Sequence, residues 1–478
     1  MTELDRVLAR VDEQLDTALE RLFELLAIDS ISTEPAHAEA CRRAADRMVE
    51  ELASIGFDAR RHDTPGHPMV VGHQGARDAD APHLLFYGHY DVQPVDPLAL
   101  WHRPPFEPAL EETAAGPVIR ARGAADDKGQ LMTFVEACRA WRTETGSLPA
   151  RVTVFLEGEE ESGSPSLVPF LEAERDALAA DLALVCDTGM WDADTPTVST
   201  MLRGMVGEEI TVTGPSLDLH SGMYGGPAIN PIRVLARILA DLHDDAGRIT
   251  LAGFYDAVDE PSAETLAAWA ALGQDELAFL GGVGLSVPAG ERGRSVLEQI
   301  WSRPSCDVNG IDGGYTGEGF KTVIPSVARA KVSFRLVGRQ DPERVREAFR
   351  AHVAARLPPD CSVSYRSKDG SPAIVMPADS APFRAAREAL SAEWERPAVS
   401  AGCGGSIPVV GHIRNILGID SLLVGFMLDD DAIHSPNEKY SLRSFRKGAR
   451  SWVRILEALS REGAAVRGNA RGRVADGR

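Results

Sequence analysis

Between residues 70 and 190, short strand-like runs at 84–88, 152–156 and 182–186 alternate with stretches such as Lys128–Arg142, whose apolar positions recur at helical spacing. That alternation predicts an α/β domain, a mainly parallel sheet covered by helices. Helix patterns precede it at 3–28 and 36–55, the second ending at Gly56. After Asp187 the rhythm changes. Strand patterns at Glu209–Thr213, Lys331–Val337 and Cys361–Tyr365 mix with helix patterns at Pro231–Leu242 and Pro342–Ala355, which predicts a smaller α+β unit. The return segment carries a helix at Ala381–Trp394, a glycine loop at Gly402–Ser406 and a strand at Leu422–Phe426. Ser435-Pro-Asn-Glu438 has the form of a capping box with proline in the first turn, opening a helix that runs to about Ala458. The stretch 463–478 is rich in Gly, Ala and Arg without periodicity and is expected to be a disordered tail.

The apolar runs end in chemistry. His89 and Asp91 close the first, Glu157, Glu159, Glu160 and Glu161 the second, and Asp187 the third; Asp126 and Asp127 precede the Lys128 helix. In open α/β sheets, sites are built beyond the carboxyl ends of the strands. Carboxylates this crowded repel one another unless cations sit among them. With His434, the set comprises two histidines and three carboxylates, plus spare acids. That inventory suits two borderline divalent metals such as zinc. A two-metal site needs a bridging acid, terminal ligands for each ion and one unligated acid as base. Adjacent Glu160 and Glu161 can divide the last two tasks if a bend at Ser162-Gly163 aims both inward. Any one of these clusters alone is explained as a core histidine or a solvated acidic loop. Five such positions at predicted strand ends in one chain favour the metal reading. His62, His67, His73 and His83 form no ligand-like pattern and are expected on the surface or in loops.

Because His434 follows the α+β unit, that unit interrupts the ligand series and is inserted into the catalytic domain. The expected boundaries are 1–200 and 377–462 for the catalytic domain, 201–376 for the insert and 463–478 for the tail. At 478 residues the chain suffices for two cores. A net charge of −21 argues against nucleic acid or an anionic membrane as partner. The six cysteines are far apart and form no Cys-x-x-Cys pair, as expected of reduced thiols in a cytoplasmic protein. Met1-Thr-Glu-Leu-Asp5 starts a charged amphipathic helix without a signal-peptide core, and no apolar stretch reaches membrane-span length.

These residues also carry a resemblance. Gly88-His-Tyr-Asp-Val-Gln-Pro94, Arg122-Gly-Ala-Ala-Asp-Asp-Lys-Gly129, Glu160-Glu-Ser-Gly-Ser164, Asp218-Leu-His-Ser-Gly-Met-Tyr-Gly-Gly226, Gly314-Tyr-Thr-Gly-Glu-Gly-Phe-Lys-Thr-Val-Ile-Pro325, Gly404-Gly-Ser-Ile-Pro408 and His434-Ser-Pro-Asn-Glu-Lys439 span most of the chain. Together they resemble the di-metal metallopeptidases that include carnosinases, cytosolic nonspecific dipeptidases, carboxypeptidase G, aminoacylases and succinyl-diaminopimelate desuccinylase, and the dipeptidases most closely. The resemblance implies a di-zinc aminopeptidase-like catalytic domain with an inserted lid and dimerisation domain. It implies a cytoplasmic homodimer holding two divalent ions per chain, zinc being expected and manganese or cobalt the alternatives.

By the same resemblance His89, Asp126 and Asp187 hold one ion, while Asp126, Glu161 and His434 hold the other. Asp126 bridges, with a cis bond to Asp127; Asp91 orients His89; Glu160 is the general base. Arg335 and Thr322 would bind the carboxylate of a small peptide substrate, Ser406 and Gly405 would line the pocket, and His220 would stabilise the oxyanion across a dimer interface. Two departures bear on specificity. Cys403 stands where carnosinase-like members have an acid that meets the substrate's amino group, and Asp312 where many relatives have an aromatic residue. The first keeps an N-acyl-amino-acid deacylase as the alternative to a dipeptidase. A non-catalytic metal-binding relative would not need Glu160 beside Glu161. A cysteine hydrolase using Cys403 with His412 or His434 leaves the acidic clusters unexplained, and a serine hydrolase lacks Gly-x-Ser-x-Gly.

Overall fold

The computed structural model describes residues 1–472, and the side chains of residues 1–467. The chain divides into two units. Met1–Thr200, Met376–Ala401 and the chain from His412 onward form the first; Met201–Val375 and Gly402–Gly411 form the second.

The first unit is built on a sheet in which the strands Asp58–His62, Met69–Gln74, Arg151–Glu157, His83–His89, Leu182–Val185 and Ser421–Leu423 lie side by side in that order. The three inner junctions are parallel and the two outer ones on the first side antiparallel. Leu84, Leu85, Phe86 and Tyr87 are all buried, which is why these strands are continuous apolar runs and not alternating ones. His89 pairs with Glu157 and Tyr87 with Val185, so the three central strands finish at one edge of the sheet. Helix Lys128–Thr145 packs across it: Phe134 stacks on Phe86 at 3.8 Å, and Trp452, on helix Leu442–Arg461, meets both rings edge-on. A separate small sheet pairs Gly116–Arg120 with Ala109–Thr113 on one side and Lys439–Ser441 on the other.

The second unit has a four-stranded antiparallel sheet in the order Ser305–Gly313, Val327–Leu336, Gly204–Thr213, Ser362–Ser371. Burial alternates along Val327–Leu336, and its inward residues, with Ile210 and Val212, pack against Val234 and Ile238 of helix Pro231–Ala240 and Phe349 and Val353 of helix Pro342–Ala354. The core is therefore one sheet face covered by two helices.

Several expectations are corrected. The N-terminal helix breaks at Gln14 into Glu3–Glu13 and Leu15–Leu26. The helix expected to open at Ser435 is Leu442–Arg461, capped by Ser441, because Lys439–Ser441 is drawn into the small sheet and Glu438 is committed elsewhere. Gly402–Gly411 packs in the second unit, where Arg203 N donates to Gly405 O and Ser406 Oγ donates to Arg203 O. Where a disordered tail was expected, Gly463–Gly472 is helical, with Val466 buried and its amide donating to Glu462 O. Residues 473–478 lie outside the described residues.

Candidate metal centre

The sheet edge at which His89 ends gathers two overlapping sets of ligand atoms. His89, Asp126 and Asp187 form one and Asp126, Glu161 and His434 the other, each with its ligand atoms within 4.8 Å of one another. Asp126 belongs to both: its Oδ1 lies 3.1 Å from His89 Nε2 and its Oδ2 2.9 Å from His434 Nε2. Glu161 Oε2 is 3.3 Å from the same His434 nitrogen. The Asp126–Asp127 peptide bond is cis. Glu160 and Glu161 lie in a single 3-10 turn, Glu160–Ser162, which ends at Gly163 with φ +90°. The expected bend is thus a helical turn closed by a glycine in the left-handed region, where only glycine avoids strain.

The electrostatics of the centre favour cations. Burial, reinforced by Asp126, Glu160 and Glu161, raises the Asp187 carboxyl well above its ordinary range. Burial with Glu161, Asp91 and Asp126 pushes Glu160 up to about 7 against the pull of His89. Despite burial, hydrogen bonds from His434 and His89 hold Asp126 well below the usual carboxylate range. The bonds to Asp126 and Glu161 push the His434 imidazole up to about 10. Imidazole and carboxylate donors, converging in a field this negative, fit a pair of borderline divalent ions.

Around the ligands lies a shell of positioning contacts. His89 Nδ1 faces Asp91, 3.2 Å from its carbonyl oxygen and 3.4 Å from Oδ1, while Asp91 Oδ2 accepts from Glu161 N at 3.0 Å. Gln93 Nε2 donates to Glu161 Oε2 at 2.7 Å. Asp127 accepts from His89 N and from Gln130 Nε2, and Gln130 Oε1 accepts from Phe426 N. The two remaining acids of the glutamate cluster are structural. Glu159 accepts from His67 N and Ser166 N, and Glu157, pushed by burial up to about 8, accepts from Tyr87. His73 and His83 both reach Thr153 Oγ1, at 2.9 and 2.8 Å; His73 is exposed, as expected, whereas His83 is partly buried at the start of its strand.

Sequence reasoning missed Glu438. Its buried carboxylate accepts from Arg122 Nη1 (2.8 Å), Gly123 N (2.9 Å), Ala125 N (2.9 Å) and Asp126 N (3.1 Å). The signal was present in the sequence but satisfied a capping pattern equally well.

The other candidates belong to the second unit and form two groups within it. Arg335 Nη1 donates to Ser406 Oγ at 2.9 Å, on the same loop as Gly405. His220 pairs with Val323 across two short strands, and neighbouring Ser221 N donates to Thr322 O. His220 is exposed, and its Nδ1 accepts from Gly222 N at 3.0 Å. In the neutral ring this puts the proton on Nε2, which becomes a donor.

A family model described as Peptidase family M20/M25/M40 matches residues 85–458. The chain is 28% identical to the Cys-Gly metallodipeptidase dug1 of Schizosaccharomyces pombe, over 96% of this chain and 98% of that protein. It superposes on the structure of the dipeptidase Dug1p from Saccharomyces cerevisiae with a TM-score of 0.81 at 26% identity, covering 96% of this chain and 99% of the other. On a family metallo-carboxypeptidase from Sulfolobus solfataricus, Sso-CP2, the TM-score is 0.82 at 29% identity, covering 93% and 99%. Among the described residues no helix is long and apolar enough to cross a membrane.

Proposed function

The chain belongs to Peptidase family M20/M25/M40, and on that premise we propose that it is a metal-dependent dipeptidase with Glu160 as its general base. The observation that carries this reading is the pair of ligand sets meeting at Asp126, with Glu160 beside them and outside both. His89, Asp126 and Asp187 would hold one divalent ion and Asp126, Glu161 and His434 the other, with Asp126 common to both sets. Bound there, the ions supply Lewis-acid polarisation of the scissile carbonyl and acidify a water molecule. Zinc suits the mixed imidazole and carboxylate donors, with manganese and cobalt as the alternatives to test.

The protein's own groups do the rest. Glu160, which belongs to neither ligand set, takes a proton from the attacking water and passes it to the leaving amine. Asp91 holds the His89 ring in place and, through the Glu161 amide, links it to a ligand of the other set. Arg335, beside Ser406 and Gly405, receives the substrate's carboxylate. Thr322, whose carbonyl oxygen accepts from Ser221 N, joins it from the subunit that supplies His220. His220 donates its Nε2 proton to the oxyanion.

His220 acts across a homodimer. In support, Ser305–Gly313 stands at the edge of the second unit's sheet, an edge that a second copy can meet, and it exposes Val308 and Ile311 among the polar Asp307, Asn309 and Asp312. None of the six cysteines is in a disulfide, which suits the cytoplasm. Cys-Gly is the first substrate to try, because a relative along the whole chain is a Cys-Gly metallodipeptidase. Protein stripped of metal and reconstituted with zinc, manganese or cobalt should be assayed on dipeptides, dipeptide amides and N-acyl amino acids. Turnover of dipeptides is expected. Turnover of N-acyl amino acids alone would replace this reading with the deacylase one.

A further inference from the structure

Glu438 ends a loop that begins at His434, and its side chain turns back beneath the loop that ends at Asp126. Both carboxylate oxygens are doubly engaged: Oε1 accepts from the Ala125 and Asp126 amides, and Oε2 from the Gly123 amide and Arg122 Nη1. The residue is fully buried, as is the Arg122 side chain, to within 1%. Arg122 carries the tie further, because its Nη2 donates to Pro94 O, in the loop that leaves His89. Asn437 reinforces the same junction, accepting from His102 N and donating to Leu100 O.

A charged acceptor for four donors, shut away from water, has one low-energy position, so the loops it joins share one relative placement. The loops joined are those bearing His89, Asp126 and His434. We propose that Glu438 is a positioning residue for metal binding, which sets the relative placement of Asp126 and His434 and so the affinity of the ligand set they share. This rests on the reading of those residues as metal ligands. The alternative, a cap for the following helix, is excluded by geometry: the carboxylate faces the Arg122–Asp126 loop, and Ser441 caps that helix.

Two substitutions separate position from charge. Glu438→Gln keeps the shape but turns an amide NH2 toward donors, while Glu438→Asp keeps the charge and withdraws it by one methylene. Metal titration of the stripped proteins should show both variants weakened about 10- to 100-fold, most at the ion shared by Asp126, Glu161 and His434, the range expected when an orienting partner is lost. If Glu438 contributed charge alone, Glu438→Asp would bind like wild type, and that outcome overturns the proposal. The thermal midpoint rise on metal addition should shrink in both variants, whereas a purely structural role would lower metal-free and metal-loaded midpoints together and leave the rise unchanged. Should neither variant purify folded, Arg122→Gln, which leaves Glu438 in place and loosens one of its four bonds, is titrated instead, and wild-type affinity there counts against the proposal. A wild-type protein that takes up no divalent ion removes the metal reading itself; folded variants with wild-type affinity remove only this inference.

Discussion

Asp126 Oδ2 stands 2.9 Å from His434 Nε2, while the other oxygen of the same carboxylate faces His89 at 3.1 Å. One short side chain thus addresses both histidines. Only a bridging carboxylate serves two ions at once. Asp126→Ala should therefore lose both metals together, whereas His89→Ala or His434→Ala should mainly weaken one. Elemental analysis of the purified variants checks this, and two ions retained by Asp126→Ala would refute the bridge.

Glu160 lies outside both ligand sets, yet in the same 3-10 turn as Glu161. Glu160→Gln removes a proton acceptor and keeps the ligands. Turnover should drop about 10²-fold or more, the usual contribution of a general acid or base, with metal content near wild type. Parallel measurement of kcat and bound metal tests it: near-normal kcat would strip Glu160 of its role, and lost metal would recast it as a ligand.

Stripping the metal should also destabilise the fold. Asp126, Asp187, Glu160 and Glu161 crowd one site in which Asp187 and Glu160 are pushed up by burial and by neighbouring carboxylates, Asp126 and Glu161 among them. Any ion bound to the native state and not to the unfolded chain raises the thermal midpoint, and the rise grows with ion concentration. The midpoint in chelator should accordingly lie below that in saturating zinc, and equal midpoints would mean that the site holds no ion.

How much of this was legible in the sequence depended on distance along the chain. His89, the glutamate cluster and Asp187 each follow a mostly apolar run, and burial of both sheet faces makes such runs readable without knowledge of partners. Glu438 was not readable. Ser-Pro-Asn-Glu satisfies a local capping pattern, and only the distant Arg122–Asp126 loop turns the glutamate to another use. Gly402–Gly411 joined the second unit for a similar reason, since its anchors are Arg203 and Arg335. The helices Ala263–Ala270, Glu276–Gly281 and Val296–Trp301 escaped because they are only a turn or two long, too short for a periodicity to emerge, and depend on the caps Ser262, Asp275 and Ser295.

Arg335 should discriminate substrates by their terminal carboxylate. Its guanidinium donates to Ser406 Oγ through Nη1, and the planar fork suits a bidentate carboxylate. Wild-type protein should prefer a dipeptide to its amide, and Arg335→Ala should abolish most of that preference by slowing the dipeptide and sparing the amide. Comparison of kcat/KM for the two substrates decides it. An undiminished preference in Arg335→Ala would transfer the task to another residue.

His220 offers the strictest test of the homodimer. Because Nδ1 accepts from the Gly222 amide, the neutral ring carries its proton on Nε2 and presents a donor to a developing negative charge. If that charge develops in the partner's site, two inactive proteins can repair each other. His220→Ala lacks the donor and keeps Glu160; Glu160→Ala lacks the base and keeps His220. In a mixed dimer, one site combines Glu160 of the first chain with His220 of the second and is complete, while the other site lacks both. Random reassortment of equal amounts makes about half the dimers mixed, each with one working site of two, so about a quarter of wild-type activity should return. If His220 serves its own chain, every site in the mixture keeps one defect. Subunit exchange verified by differently tagged chains, with no recovered activity, would therefore place His220 in its own subunit's site or outside the reaction altogether.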